Sequence, residues 1–86
     1  MLELYQSEGC PHSEKARTKL SELGLSYVIH NPRLPGDAGG DVTNELIHQQ
    51  LTADGEDQIP YLVDTDRGVT MYESDDIVAY LGEHYG

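Results

Sequence analysis

The sequence has no phenylalanine, no tryptophan and one cysteine, and it is short of cations, with five Lys and Arg against sixteen Asp and Glu in 86 residues. A lone cysteine cannot build an internal disulfide framework, so any thiol chemistry has to pass through Cys10. No stretch approaches the roughly 20 apolar residues of a membrane span, and the first residues hold neither a charged leader nor an apolar run of signal length. These absences point to a reducing, cytoplasmic setting. The formal net charge of −11 leaves no basic footprint, which sets aside nucleic acid and anionic membranes as partners.

The charge is unevenly spread. Through Gly36, Lys15, Arg17, Lys19 and Arg33 balance Glu3, Glu8, Glu14 and Glu22, whereas the carboxylates from Asp37 onward face Arg67 alone. The plainer reading is a solvated acidic face kept for solubility. With only two lysines and no Phe or Trp, the composition also looks like that of a protein from a salt-adapted cytoplasm, and self-repulsion is then expected to loosen it in dilute buffer. The length suffices for one domain, residues 1–86, burying roughly 60% of its unfolded surface.

The stretch that organises the rest is Ser7-Glu8-Gly9-Cys10-Pro11-His12-Ser13. Before it, Leu2-Glu3-Leu4-Tyr5 alternates apolar and polar residues like a half-buried strand. After it, Ala16, Leu20 and Leu23 mark one face of a helix that Gly24 ends. Pro11 suits the first helical position, where a missing N–H costs nothing. Cys10 is then the N-cap, beside free amides and the positive end of the helix dipole, a position that favours the attacking thiolate.

Ser26–His30 reads as a second strand, so the first thirty residues form a βαβ unit with parallel strands and a right-handed crossover. A Pro- and Gly-rich loop follows, from Pro32 to Gly40, longer than such connections usually are. A second helix is expected from Asp41 as N-cap, with Leu46, Ile47 and Leu51 on its apolar face. Asp54–Asp57 has the look of a solvated turn, and Ile59–Asp64 and Val69–Tyr72 form a hairpin. The last helix opens at Ser74 as N-cap and buries Ile77, Val78 and Leu81. The order βαβ, helix, hairpin, helix defines an α/β domain with a mixed four-stranded sheet and three helices. A central first strand would put Cys10 at a strand's carboxyl end, where open α/β sheets bind ligands.

At this point the sequence resembles the glutaredoxin branch of the thioredoxin-fold superfamily, and also the N-terminal domain of glutathione transferases. Leu4-Tyr5 with Cys10-Pro11-His12-Ser13 is similar to the glutaredoxin opening in its single-thiol form, Ser13 standing where two-cysteine members have a second thiol. Gln58-Ile59-Pro60-Tyr61-Leu62 resembles the family's cis-proline segment, and Tyr72-Glu73-Ser74-Asp75-Asp76-Ile77-Val78-Ala79-Tyr80-Leu81 its Glu-Ser motif. The resemblance implies a thioredoxin-like fold and a cis bond at Pro60. It also implies that the Ile59 backbone pairs with the cysteinyl part of a bound thiol. Glu73, Ser74 and Asp75 would then meet the γ-glutamyl amine and carboxylate. It further implies glutathione or γ-glutamylcysteine as co-substrate, no permanently bound cofactor, and a monomer acting on oxidised or thiolated proteins. The transferases' helical second domain has no counterpart in these residues, so thiol–disulfide exchange rather than conjugation is the expected chemistry. The alternatives are a carrier of a shared [2Fe–2S] cluster and a non-catalytic thiol-binding module.

Each candidate also has a plainer reading. Cys10 could be a small core residue, His12 a solvated side chain rather than a cation near the sulfur, and Ser13 a turn cap rather than a partner of the sulfur. Tyr5 could be a strand aromatic rather than a ligand contact. Lys15, Arg17 and Lys19 read as a helix's polar face. His30, His48 and His84 show no metal-ligand spacing with Cys10, so no metal site is expected.

Overall fold

The computed structural model describes all residues, Met1–Gly86. Strand β1 (Leu2–Tyr5) sits inside a four-stranded sheet, flanked by β2 (Val28–His30) on one side and β3 (Tyr61–Asp64) on the other, with β4 (Val69–Met71) outermost. β1 and β2 are parallel, with Tyr5 opposite His30, while β1–β3 and β3–β4 are antiparallel, with Leu4 opposite Leu62 and Leu62 opposite Met71. The helices are α1 (Pro11–Glu22), α2 (Glu45–Leu51) and α3 (Ser74–Tyr85). The result is a mixed sheet with three helices in the thioredoxin-like arrangement, as expected from the sequence.

Strand alternation sorts the core onto two faces. Leu2, Leu4 and Leu62 pack with Ala16 and Leu20 of α1 and Ile77, Tyr80 and Leu81 of α3. Tyr5 and Tyr61 point the other way, to Leu51 of α2, Ile59 and Cys10. Each fully buried leucine or isoleucine in these clusters contributes about 1.5–3 kcal/mol of transfer free energy.

The first cluster has a polar anchor. Asp64 is fully buried, and its Oδ2 accepts the hydroxyls of Tyr80 at 2.7 Å and Tyr85 at 2.6 Å, while Oδ1 accepts the Asp66 amide at 3.2 Å. Burial pushes the Asp64 carboxyl up, but these hydrogen bonds outweigh it and hold the group below the usual carboxylate range. Burial, together with the bond to Asp64, pushes Tyr80 up to about 12. The strand end and the last turns of α3 are thereby tied together.

Five expectations are corrected. β2 begins at Val28 rather than Ser26, because the pairing with β1 starts at Glu3 opposite Val28. α2 begins at Glu45, not after Asp41. The Asp41 carbonyl accepts the Leu34 amide at 2.9 Å and Val42 bridges Arg33, so this backbone is committed to an antiparallel contact. Asn44 caps α2 instead, accepting the Ile47 amide at 3.1 Å. Leu46 is 72% exposed, since Leu51 and the partly buried Ile47 set the helix phase and Leu46 falls one position off it. Finally, Glu73 is the N-cap of α3 and Ser74 its first residue, while Val78 is only partly buried.

Candidate functional site

The loop between β1 and α1 is braced at nearly every residue. The Gln6 amide donates to the His30 carbonyl at 3.0 Å, and its side chain contacts Asn31 and Arg17. The Ser7 amide donates to Ser13 Oγ at 3.3 Å, and Ser7 Oγ donates to the Leu34 carbonyl at 2.8 Å. Gly9 has φ +79°, a conformation open to glycine, and its neighbour Glu8 accepts the Gly36 amide at 2.9 Å. This bracing delivers Cys10 to the start of α1.

Cys10 is the N-cap, with extended backbone angles of φ −85° and ψ 118°, and Pro11 holds the first helical position. The first helical bond runs from the Glu14 amide to the Cys10 carbonyl at 3.0 Å, so the His12 and Ser13 amides have no partner within the helix. The residue is 1% exposed, resting among Tyr5, Leu51, Ile59 and Tyr61. It is buried more deeply than a freely accessible nucleophile, yet it lines a cleft of about 300 Å³.

His12, Ile59, Pro60, Glu73 and Ser74 line the same cleft. The Ile59–Pro60 bond is cis. The Ile59 amide and carbonyl enter no backbone hydrogen bond within the chain. At α3 the first helical bond is from the Ile77 amide to the Glu73 carbonyl at 2.9 Å, leaving the amides of Ser74, Asp75 and Asp76 without helical partners. The cleft therefore offers a sulfur, an unpaired stretch of backbone just ahead of β3, and a helix N-terminus beside a carboxylate.

The other candidates lie elsewhere. Ser13 is fully buried beneath the loop, its Oγ turned to the Ser7 amide. Tyr5 stacks on His30 at 4.4 Å and donates to Gln50 at 3.0 Å, so it forms part of the packing behind Cys10. Pro11 and Asp75 line a separate groove between α1 and α3, where Asp75 pairs with Lys15 at 3.4 Å. Beneath the cleft, Tyr61 donates to Asp54 at 2.8 Å. Burial and that bond push its hydroxyl up to about 12.

Four residues that line the cleft are not expected there from the sequence: Asp37, Ala38, Asp57 and Gln58, the last marked only as part of the cis-proline segment. Gln58 Nε2 donates to Glu73 Oε1 at 2.9 Å. Asp57 is not merely part of a solvated turn. Arg33 grips both of its oxygens at 2.8 and 3.1 Å, and His48 lies 3.0 Å from one of them. Burial raises the Asp57 carboxyl, but the Arg33 and His48 contacts outweigh this and keep it below its ordinary value. Gly39, at φ +88°, packs where a side chain would strike Arg33. These partners lie far from Asp57 in sequence, so no local pattern announces them.

The sequence profile of the glutathione S-transferase N-terminal domain matches residues 4–86. Among solved structures, the chain is similar to glutathione S-transferase 1-6 from Anopheles dirus species B, with a TM-score of 0.75 at 27% identity, over 98% of this chain and 36% of that one. It is similar in fold to glutathione transferase E6 from Drosophila melanogaster, with a TM-score of 0.72 at 23% identity, over 100% of this chain and 36% of that one. A theta-class glutathione S-transferase from Xanthomonas axonopodis pv. citri, solved with glutathione bound, has a TM-score of 0.70 at 24% identity, over 98% of this chain and 37% of that one. The chain thus spans little more than a third of the length of these proteins. Comparison with curated proteins gives no match.

Proposed function

This chain belongs to the glutathione S-transferase N-terminal domain family, and from that premise we propose that it is a single-thiol, glutaredoxin-like oxidoreductase acting through Cys10 on mixed disulfides of proteins with a γ-glutamyl thiol. The observation that carries this reading is the sharing of one cleft by Cys10, the unpaired Ile59 backbone with cis-Pro60, and the Glu73–Ser74 start of α3.

The thiolate of Cys10 attacks the small-thiol sulfur of the mixed disulfide. A bond forms between the two sulfurs, the old disulfide breaks, and the protein thiolate leaves and takes a proton. A second molecule of the small thiol then attacks the adduct, giving its symmetrical disulfide and restoring Cys10. Ser13 carries no second thiol, so resolution is external. In this reading the free amides at the start of α1 support the sulfur's negative charge, and His12 on the cleft wall can donate the proton to the leaving group. The Ile59 backbone pairs with the cysteinyl unit by strand addition. Glu73 takes the γ-glutamyl amine, and the Ser74 amide takes its carboxylate.

The depth of Cys10 is consistent with this choice of sulfur. A thiol on a cleft floor is reached by a slim thiol adduct more readily than by a disulfide flanked by two folded chains. We read residues 1–86 as one domain that acts as a monomer in a reducing cytoplasm, with no permanent cofactor. The test is deglutathionylation of a glutathione-modified peptide: Cys10→Ser should abolish turnover, and full activity in that variant would overturn the assignment.

A further inference from the structure

We propose that the cleft favours a γ-glutamyl thiol whose far end is uncharged or cationic over one that ends in a free carboxylate, with Asp37 as the residue that discriminates. The inference rests on the reading above and refines its ligand.

The strand order sets the layout. Glu73 and Ser74 follow β4, Asp37 and Ala38 follow β2, and Cys10 and Pro60 are carried by β1 and β3 between them. A ligand with its amino-acid head at Ser74 and its sulfur at Cys10 therefore runs its far end toward Asp37. That end offers no free cation. Arg33 is held by both oxygens of Asp57 and by the Gly40 carbonyl at 2.9 Å, and His48 is also engaged by Asp57. The Arg33–Asp57 pair is close to neutral as a unit. Asp37 enters no ion pair, so it is the uncompensated charge on this wall. A ligand carboxylate there meets a like charge, whereas an amide, ester or ammonium end does not.

The test uses three disulfides differing at one end, glutathione disulfide, its glycyl monoethyl ester, and the glycyl amide of ethylenediamine, which ends in an ammonium, with the disulfide of 2-mercaptoethanol as a reference that lacks the γ-glutamyl head. Each is equilibrated with its own thiol and the whole chain, and the Cys10 adduct is measured by intact mass against an unstructured cysteine peptide. At low ionic strength the ester and the amine-ended form should exceed glutathione roughly three- to tenfold, the size of one like-charge contact through water. In molar salt, or in Asp37→Asn, the gap should shrink toward one. Equal or greater adduct with glutathione in the natural chain overturns the proposal. If all three γ-glutamyl thiols beat 2-mercaptoethanol but do not differ among themselves, this refinement alone fails. If none beats 2-mercaptoethanol, the ligand reading beneath it fails as well.

Discussion

Asp64 and Cys10 are both buried at the sheet, and the surroundings of each decide what it can do. Asp64 has every contact of a structural anchor, with two tyrosine hydroxyls and backbone amides converging on it. A carboxyl held below its unfolded value stabilises the fold at pH above that unfolded value, about 3.9, and the contribution is lost as the pH falls through the lower folded value. Urea midpoints between pH 6 and 2 should therefore drop on acidification, and the drop should be shallower in Asp64→Asn, whose stability is already reduced. An unchanged acid slope in the variant would remove Asp64 from this role. Cys10, by contrast, has backbone amides ahead of it and a cleft beside it. Ser13, its expected companion, serves the loop instead: the Ser7 amide claims its oxygen because that amide is buried and needs an acceptor.

At the scale of elements, α2 is the piece whose stability is least its own. Seven residues are too few for an isolated helix, so its place depends on Leu51, on the Tyr5–Gln50 bond at 3.0 Å, and on the Tyr72 hydroxyl donating to the Leu51 carbonyl at 2.7 Å. Leu51→Ala should cost about 2–5 kcal/mol in denaturant unfolding. Because Leu51 shares the cluster that covers Cys10, the same change should speed alkylation by a bulky maleimide under native conditions. Leu46→Ala, on the exposed face, should change stability by less than about 0.5 kcal/mol and leave alkylation alone. The two leucines look alike in sequence. A boundary shift from Asp41 to Glu45 and a choice between neighbouring apolar residues decided which one is inside, and an antiparallel bridge between Arg33 and Val42 controlled that boundary.

At the scale of the whole molecule the feature that sets this chain apart is its charge. With a net charge of −11, all of it arising after Gly36, repulsion acts across the half that carries α2, the hairpin and α3. Salt screens such repulsion over roughly 10 Å at 0.1 M and about 3 Å at 1 M. The melting temperature should therefore rise between dilute buffer and molar potassium chloride, as followed by circular dichroism. Equal melting points would show that the acidic surface carries no stability cost. The same surplus of carboxylates reaches the cleft at Asp37, which links the global composition to the choice of ligand end.

Short-range chemistry was enough to determine the strand–Cys–Pro–helix junction, the hairpin and the element order, because neighbouring residues set these through alternation, capping and the fixed φ of proline. The Glu73–Ser74 start of α3 was legible to within one position for the same reason. Only the tertiary structure decided how deep Cys10 lies, that Ser13 and Tyr5 belong to the packing, and that Arg33 and His48 hold Asp57 on the cleft wall. Those outcomes depend on which faces meet when the sheet closes, and contacts between residues distant in the chain leave no periodic mark along it.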